Sequence, residues 1–287
     1  MTRFLKMHGL GNDFIVLDAR LSHWQITPDL ASAMADRRFG IGCDQIMILR
    51  QPETGGDILL DMRNQDGSVT GACGNGTRCV AALLMAETGR EAVTIETSAG
   101  HLYCQKKGDL IEVDMGPAIQ QWDKIPLNAP HDVMQLDLSP QEPDIKAVAL
   151  SMGNPHAVLF VDDAEAIDVA AKGAALTNHE IFPEGANISF ASIISQNQIR
   201  MRVFERGVGI TSACGSGACA VGVAAHLRGL TGRQTEIVLD GGSLFINWHD
   251  DGTAEGRVLM SGPVETVFEA ALSGHLLALF EAANQEA

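Results

Sequence analysis

The feature that most limits what this chain can fold into is that it writes one pattern twice. "TGACGNGTRC" (70–79) and "TSACGSGACA" (211–220) each set a cysteine in a glycine-rich loop that runs into an apolar, alanine-rich segment. Their cysteines, Cys73 and Cys214, stand 141 residues apart. Other polar positions repeat at the same spacing to within one residue. Asn12 in "GLGND" answers Asn154 in "SMGNPH", Gln45 in "GCDQI" answers Asn187 in "EGANIS", and Asn64 in "MRNQDG" answers Glu205 in "VFERGVG". "SAGHLYC" (98–104) and "DGGSLFI" (240–246) both read as a tight turn feeding a strand, and "MGP" (115–117) and "SGP" (261–263) close the two stretches. One glycine loop before a helix is common. Several polar positions at a single spacing mean a duplication, and 287 residues are enough to build the unit twice.

The local patterns within each copy agree. "IMILR", "DILLDM", "AVTIET", "LIEVDM", "AVLFV", "ISFASII" and "IRMRVFE" read as strands. "TPDLASAMADRRFG" reads as a helix capped by Thr27, with Pro28 in its first turn, a solvated end at "MADRR" and Gly40 after it. "GTRCVAALLMAETG" and "GACAVGVAAHLRG" are helices apolar nearly all round, which places each at the buried centre of its half. Five prolines between 117 and 147 (117, 126, 130, 140 and 143) mark the crossover between halves, and "VFEAALSGHLLALFEAANQEA" reads as one closing helix with an apolar stripe. The expected fold is α+β: two similar pseudo-symmetric lobes, each a mainly antiparallel sheet wrapped around a central helix. The lobes are expected at 1–117 and 118–263, with the tail 264–287 packing on the first.

A net charge of −16 repels phosphate, so nucleic acid and anionic membranes are not expected partners. The start, "MTRFLKMHGLGNDF", has no apolar run long enough for a signal peptide, and no later run nears the ~20 apolar residues of a membrane span. A cytoplasmic protein is the expectation. There, six cysteines stay thiols. Cys73 with Cys79 and Cys214 with Cys219 are spaced more widely than the C-x₂₋₄-C of structural zinc sites, so no metal is expected. Cys43, Cys79, Cys104 and Cys219 read as core packing, with a place lining the site left open for Cys43.

Cys73 and Cys214 read differently. A cysteine just before a helix meets the positive end of the helix dipole, which lowers a thiol pKa from its usual ~8.5. The backbone N–H groups of Gly74 and Asn75, and of Gly215 and Ser216, form an anion site suited to a carboxylate. If the two lobes face each other, a carboxylate held there sets its α-carbon between two sulfurs. One thiolate then removes the α-proton and the other thiol returns one to the opposite face, inverting the centre without a cofactor, while the N–H dipoles stabilise the enolate-like charge.

Together, "KMHGLGNDF", "GCDQ", "ACGNGTRC", "SMGNPH", "ANISF", "ERGVG" and "ACGSGACA" resemble the diaminopimelate epimerase family from residue 5 to about 263. The resemblance implies pyridoxal-independent conversion of LL- to meso-diaminopimelate, in lysine and cell-wall precursor synthesis, by a homodimer of two-lobed subunits. It implies Cys73 and Cys214 as the acid/base pair, substrate contacts at Asn12, Gln45, Asn64, Asn154, Asn187 and Arg206, and Glu205 near the ammonium group. His156 with Glu205 is expected to tune the thiols, and Arg206 to clamp the distal carboxylate bidentately. Departures such as "RNQDGS" and "GITSACG" touch neighbours of these positions rather than the positions themselves. Two other readings stay open at this point: a sibling enzyme that racemises proline or isomerises a ring acid, and a ligand-binding or thiol-redox module without turnover. Against the last, no C-x-x-C is present.

Overall fold

The computed structural model describes residues 2–71, 73–138, 146–249, 251–253 and 256–285. The chain divides into two compact units, Met1–Val113 with Pro263–Ala287, and Asp114–Gly262.

The first unit runs β1 (Arg3–Gly9), β2 (Asn12–Asp18), α1 (Pro28–Ala35), β3 (Gln45–Arg50), β4 (Ile58–Asn64), β5 (Val69–Thr70), α2 (Gly74–Thr88), β6 (Ala92–Thr97), β7 (Gly100–Lys107) and β8 (Leu110–Asp114). Strands β1–β2, β3–β4, β6–β7 and β7–β8 pair antiparallel, and the links β2–β3 and β4–β6 are parallel. A parallel link needs a crossover, and α1 and α2 supply the two. The sheet curls round α2, which packs on β1 and β2 as well as on β6 and β7. That is why Val80, Ala81, Leu84 and Met85 on α2 are all buried.

The second unit repeats the order: β9 (Ala147–Ser151), β10 (Pro155–Phe160), α3 (Val169–Leu176), β11 (Asn187–Ser195), β12 (Gln198–Glu205), β13 (Gly209–Ile210), α4 (Gly215–Leu227), β14 (Gln234–Leu239), β15 (Gly242–His249) and β16 (Arg257–Gly262). Registers repeat with it. Phe14 stands opposite Gln45 on β2 and β3, and His156 opposite Asn187 on β10 and β11. Likewise Thr97 faces Gly100 across one hairpin and Leu239 faces Gly242 across the other. Helix α4 is buried from Ala218 to Ala225 and touches every main strand of its sheet from β9 to β16. Helix α3 lies close on β12 because Gly173 has no side chain: a Cβ there would fall 2.3 Å from Cβ of Phe204.

Three details differ from the sequence expectations. First, the tail is not a single helix. Residues Glu265–Ala271 form a strand, β17, antiparallel to β1, and only Gly274–Ala283 is helical, as α5. Helix α5 packs on α1, with Phe280 set edge-on to Trp24 at 5.1 Å between ring centroids. The crossover has the matching role in the second unit, bridging to β9 at Ile119–Ser151 and Leu136–Ala147. Its residues Ile125, Leu127, Leu136 and Leu138 join the core there, while Pro140 and Pro143 lie outside the described residues. Second, α1 does have its Thr27 cap, whose Oγ1 accepts from Leu30 N–H at 3.3 Å, but it stops at Ala35, well before Gly40. Third, "MADRR" straddles the helix end: Met34 and Ala35 are buried in α1 and Asp36, Arg37 and Arg38 are exposed as expected, but Arg37 also pairs with Asp13 and Asp44.

Candidate active site

In the first unit the predicted residues gather where β2 and β3 begin, β4 ends and α2 begins. A two-residue turn, Leu10–Gly11, joins β1 to β2 with both residues left-handed (φ 57° and 81°), the geometry of a tight hairpin, and delivers Asn12. Cys73 is the N-cap of α2, extended at φ −151° and ψ 98°, and its Sγ accepts from the Gly76 N–H at 3.4 Å. Oδ1 of Asn12 lies 3.9 Å from that sulfur and accepts from Nδ2 of Asn75 at 3.1 Å. The Gln45 amide donates to Oδ1 of Asn64 at 3.0 Å across the β3–β4 pair, and Asn64 donates to Ser68 Oγ at 3.0 Å. Gly74 and Asn75 are both buried in the first turn of the helix.

The second unit builds the same corner with different polar groups. Cys214 is the N-cap of α4, extended at φ −115° and ψ 107°, and only 4% exposed. Its sulfur lies 3.7 Å from Oγ of Ser216, with Gly215 buried between them. Asn154 and His156 flank Pro155 and point the same way: Nε2 of His156 is 2.9 Å from Oδ1 of Asn154. Asn187 donates to the Pro155 carbonyl at 3.2 Å and accepts the Arg206 backbone N–H at 3.0 Å. The Arg206 side chain is exposed and spends one nitrogen, Nη1, on the Glu184 carbonyl at 2.7 Å. Glu205 accepts from the hydroxyl of Thr211 and contacts the Cys214 thiol.

Electrostatics at Cys214 overturn one expectation: its pKa is raised, not lowered, at the start of α4. Burial pushes that thiol well above 9.0, and the Glu205 carboxylate adds to the rise; N–H of Gly217 and the Ser216 hydroxyl only partly offset them. Burial also pushes His156 down to about 3, with the Arg206 charge acting the same way, so this imidazole is neutral at ordinary pH. Among the described residues its Nδ1 has no hydrogen-bond partner. An unpaired lone pair is more easily buried than an unpaired N–H, so the proton sits on Nε2, aimed at Asn154. The remaining cysteines are packing residues, and burial raises Cys43 and Cys79 to about 12.

Residues not singled out from the sequence also belong to these corners. Thr211 is one, and the group Lys6, Asp13, Arg37 and Asp44 is another. Asp44 was visible as the third residue of "GCDQ", next to Gln45. Nothing in the sequence ties it to Arg37. Among the described residues no cluster of three or more His, Cys, Asp or Glu is placed to hold a metal ion.

Comparison with solved structures identifies the fold. The chain is similar in fold to a hydroxyproline epimerase from Agrobacterium vitis, with a TM-score of 0.68 and 16% identity over 100% of this chain and 98% of that one. It is similar also to a phenazine biosynthesis protein of the PhzF family from Bacillus anthracis, with a TM-score of 0.66 and 16% identity over 95% and 99% of the chains. At such identity the likeness defines a fold: the duplicated α+β architecture, here with a cysteine capping the central helix of each unit. Sequence carries the assignment further. The family model described as diaminopimelate epimerase matches residues 4–120 and 148–267. Curated diaminopimelate epimerases of Rhodospirillum centenum and Acidiphilium cryptum are 53% and 50% identical, each over 96% of this chain and over 94% and 98% of their own lengths. The chain belongs to the diaminopimelate epimerase family.

Proposed function

We propose that this protein is an isomerase that converts LL-2,6-diaminopimelate to the meso isomer, in the route to lysine and peptidoglycan precursors. Cys73 and Cys214 are its acid and base. The observation that carries this reading is the pair of cysteine N-caps at equivalent places in two copies of one fold. A racemising proton transfer needs one group on each face of the α-carbon, and a duplicated unit supplies the same group twice.

The step balances without an oxidant or cofactor. A thiolate takes the α-hydrogen as a proton, and the C–H electron pair moves into the carboxylate to form an enediolate. The second thiol gives its proton to the other face and becomes the thiolate. Charge developing on the carboxylate is stabilised by the N–H groups at the starts of α2 and α4, including those of Gly74, Asn75, Gly215 and Ser216. Burial and Glu205 favour the protonated form of Cys214, which suits it to hold the thiol's proton before transfer. Asn12, Gln45, Asn64, Asn154 and Asn187 hold the substrate. Arg206, exposed and with Nη1 on the Glu184 carbonyl, is the clamp for the distal carboxylate, and Glu205 meets the ammonium group. His156 acts through Asn154. We place the enzyme in the cytoplasm as a homodimer, and no described helix is long and apolar enough to cross a membrane.

Mixing the purified protein with LL-diaminopimelate and following optical rotation tests the reading, because the meso product is optically inactive. Rotation should decay toward an equilibrium mixture. An unchanged signal with folded, reduced protein would refute it.

A further inference from the structure

Asn12 and Asn154 occupy matching places in the repeat, yet their amides are turned by opposite kinds of partner. Asn154 faces an N–H donor, His156. Asn12 faces an acceptor: its Nδ2 donates to Oδ2 of Asp44 at 2.8 Å. Asp44 is anchored by Arg37, whose Nη2 is 2.7 Å from Asp44 Oδ1, and its Oδ2 also accepts the Asp13 backbone N–H at 3.1 Å. Arg37 in turn is bidentate on Asp13, through Nη1 at 3.0 Å and Nη2 at 2.7 Å, and Lys6 closes the cluster on Asp13 and the Gly42 carbonyl.

A carboxylate in an ion pair offers only lone pairs. The Asn12 amide therefore has one satisfied sense, with NH₂ toward Asp44 and the carbonyl oxygen toward Cys73 and Asn75. That oxygen can accept from the Cys73 S–H and has nothing to give a thiolate. We propose that Asp44 is a positioning residue for the proton transfer at Cys73: by holding the Asn12 amide in one sense it favours the protonated thiol and keeps the Cys73 thiolate a strong base. This rests on Cys73 being one of the two bases. It matters because burial and Glu205 already favour the thiol at Cys214, and a two-way reaction needs two sulfurs of comparable proton affinity. The charged and titratable groups at this corner, among the described residues, include Lys6 and His8 on β1 with Glu265 of β17 on His8, Asp13 on β2, Arg37, Cys43 and Asp44 before β3, and Arg78 and Cys79 on α2. Among the charged groups of the described residues, Asp44 alone is hydrogen-bonded to the side chain of Asn12, whose other partners are Asn75 and the Cys73 thiol.

Two variants separate this role from a general loosening of the unit. Asp44→Asn removes the obligate acceptor, and Asn12→Leu removes the carbonyl with no change of charge. In ligand-free enzyme, iodoacetamide labelling of Cys73 is followed across pH by peptide mass spectrometry. In both variants the midpoint should fall by about half to one pH unit, with no further shift in the double variant. The Cys214 midpoint should stay where it is. The Asp44→Asn shift should persist in 1 M salt, where a bare charge effect is screened. At its pH maximum, kcat/KM of Asp44→Asn should fall roughly threefold, because a thiolate easier to form is a weaker base. An unmoved Cys73 midpoint in Asn12→Leu overturns the proposal even if Asp44→Asn does not fold, and so does additivity in the double variant. Labelling needs no turnover, so wild-type protein that labels normally but fails to epimerise would strike the proposed activity instead.

Discussion

Nε2 of His156 lies 2.9 Å from Oδ1 of Asn154, across the single residue Pro155. The position that matches His156 in the first unit is Phe14, so the repeat has exchanged a fully buried ring for one with a donor. Burial first, and the Arg206 charge second, hold His156 at about 3, against 6.5 for the free side chain. Between those values the unfolded chain takes a proton that the folded one refuses. Stability present above pH 6.5 is therefore lost as pH falls toward 3. His156→Phe keeps the ring and removes the titration. Its urea midpoint should decline less than that of the wild type between those pH values, and equal decline in both would show that His156 titrates freely.

Cys214 should be the slower thiol to alkylate at pH 8, since burial and Glu205 both oppose its ionisation. Glu205→Gln takes away the charge and leaves the shape. Labelling of Cys214 should then quicken several-fold while epimerisation falls, because the ammonium group loses its partner. If labelling is no faster, burial alone accounts for the raised pKa.

Arg206→Lys should reduce kcat/KM for diaminopimelate roughly 10- to 100-fold, the scale of one lost charge-assisted hydrogen bond. Most of the effect should appear in KM. The structure also predicts why lysine is a poor substitute: the Arg206 fork already gives Nη1 to the Glu184 carbonyl, and a single ammonium cannot hold that carbonyl and a planar carboxylate together. Wild-type kinetics in the variant would remove Arg206 from the site.

Much of this was legible in the spacing of the chain. The two cysteine loops, the matched asparagines and the paired hairpins all return as equivalent elements, because a duplication preserves register along with sequence. The tail was misread for a local reason. "VFEAALSGHLLALF" has an apolar stripe, yet its first half pairs with β1 as β17. The repeat carried the correction, since "SGPVET" matches "MGPAIQ", whose Ile119 also bridges to a strand. The Cys214 pKa was invisible for a deeper reason. The helix dipole can be read from a glycine loop, but the burial that outweighs it depends on a sheet wrapped from β9 to β16. The link from Arg37 to Asp44 was hidden too, because the chain had to leave α1 four residues early to make it.

The central claim is that Cys73 and Cys214 serve opposite faces of one carbon, and following hydrogen in D₂O tests it most directly. Thiol protons exchange with water between turnovers, so the donating sulfur carries solvent deuterium. Starting from LL-diaminopimelate, early meso product should hold deuterium at the inverted carbon. Unreacted substrate should stay protiated, because the abstracting thiol returns mainly the proton it took. Early product that is largely protiated would mean one group serving both faces, and would contradict the pairing of Cys73 with Cys214.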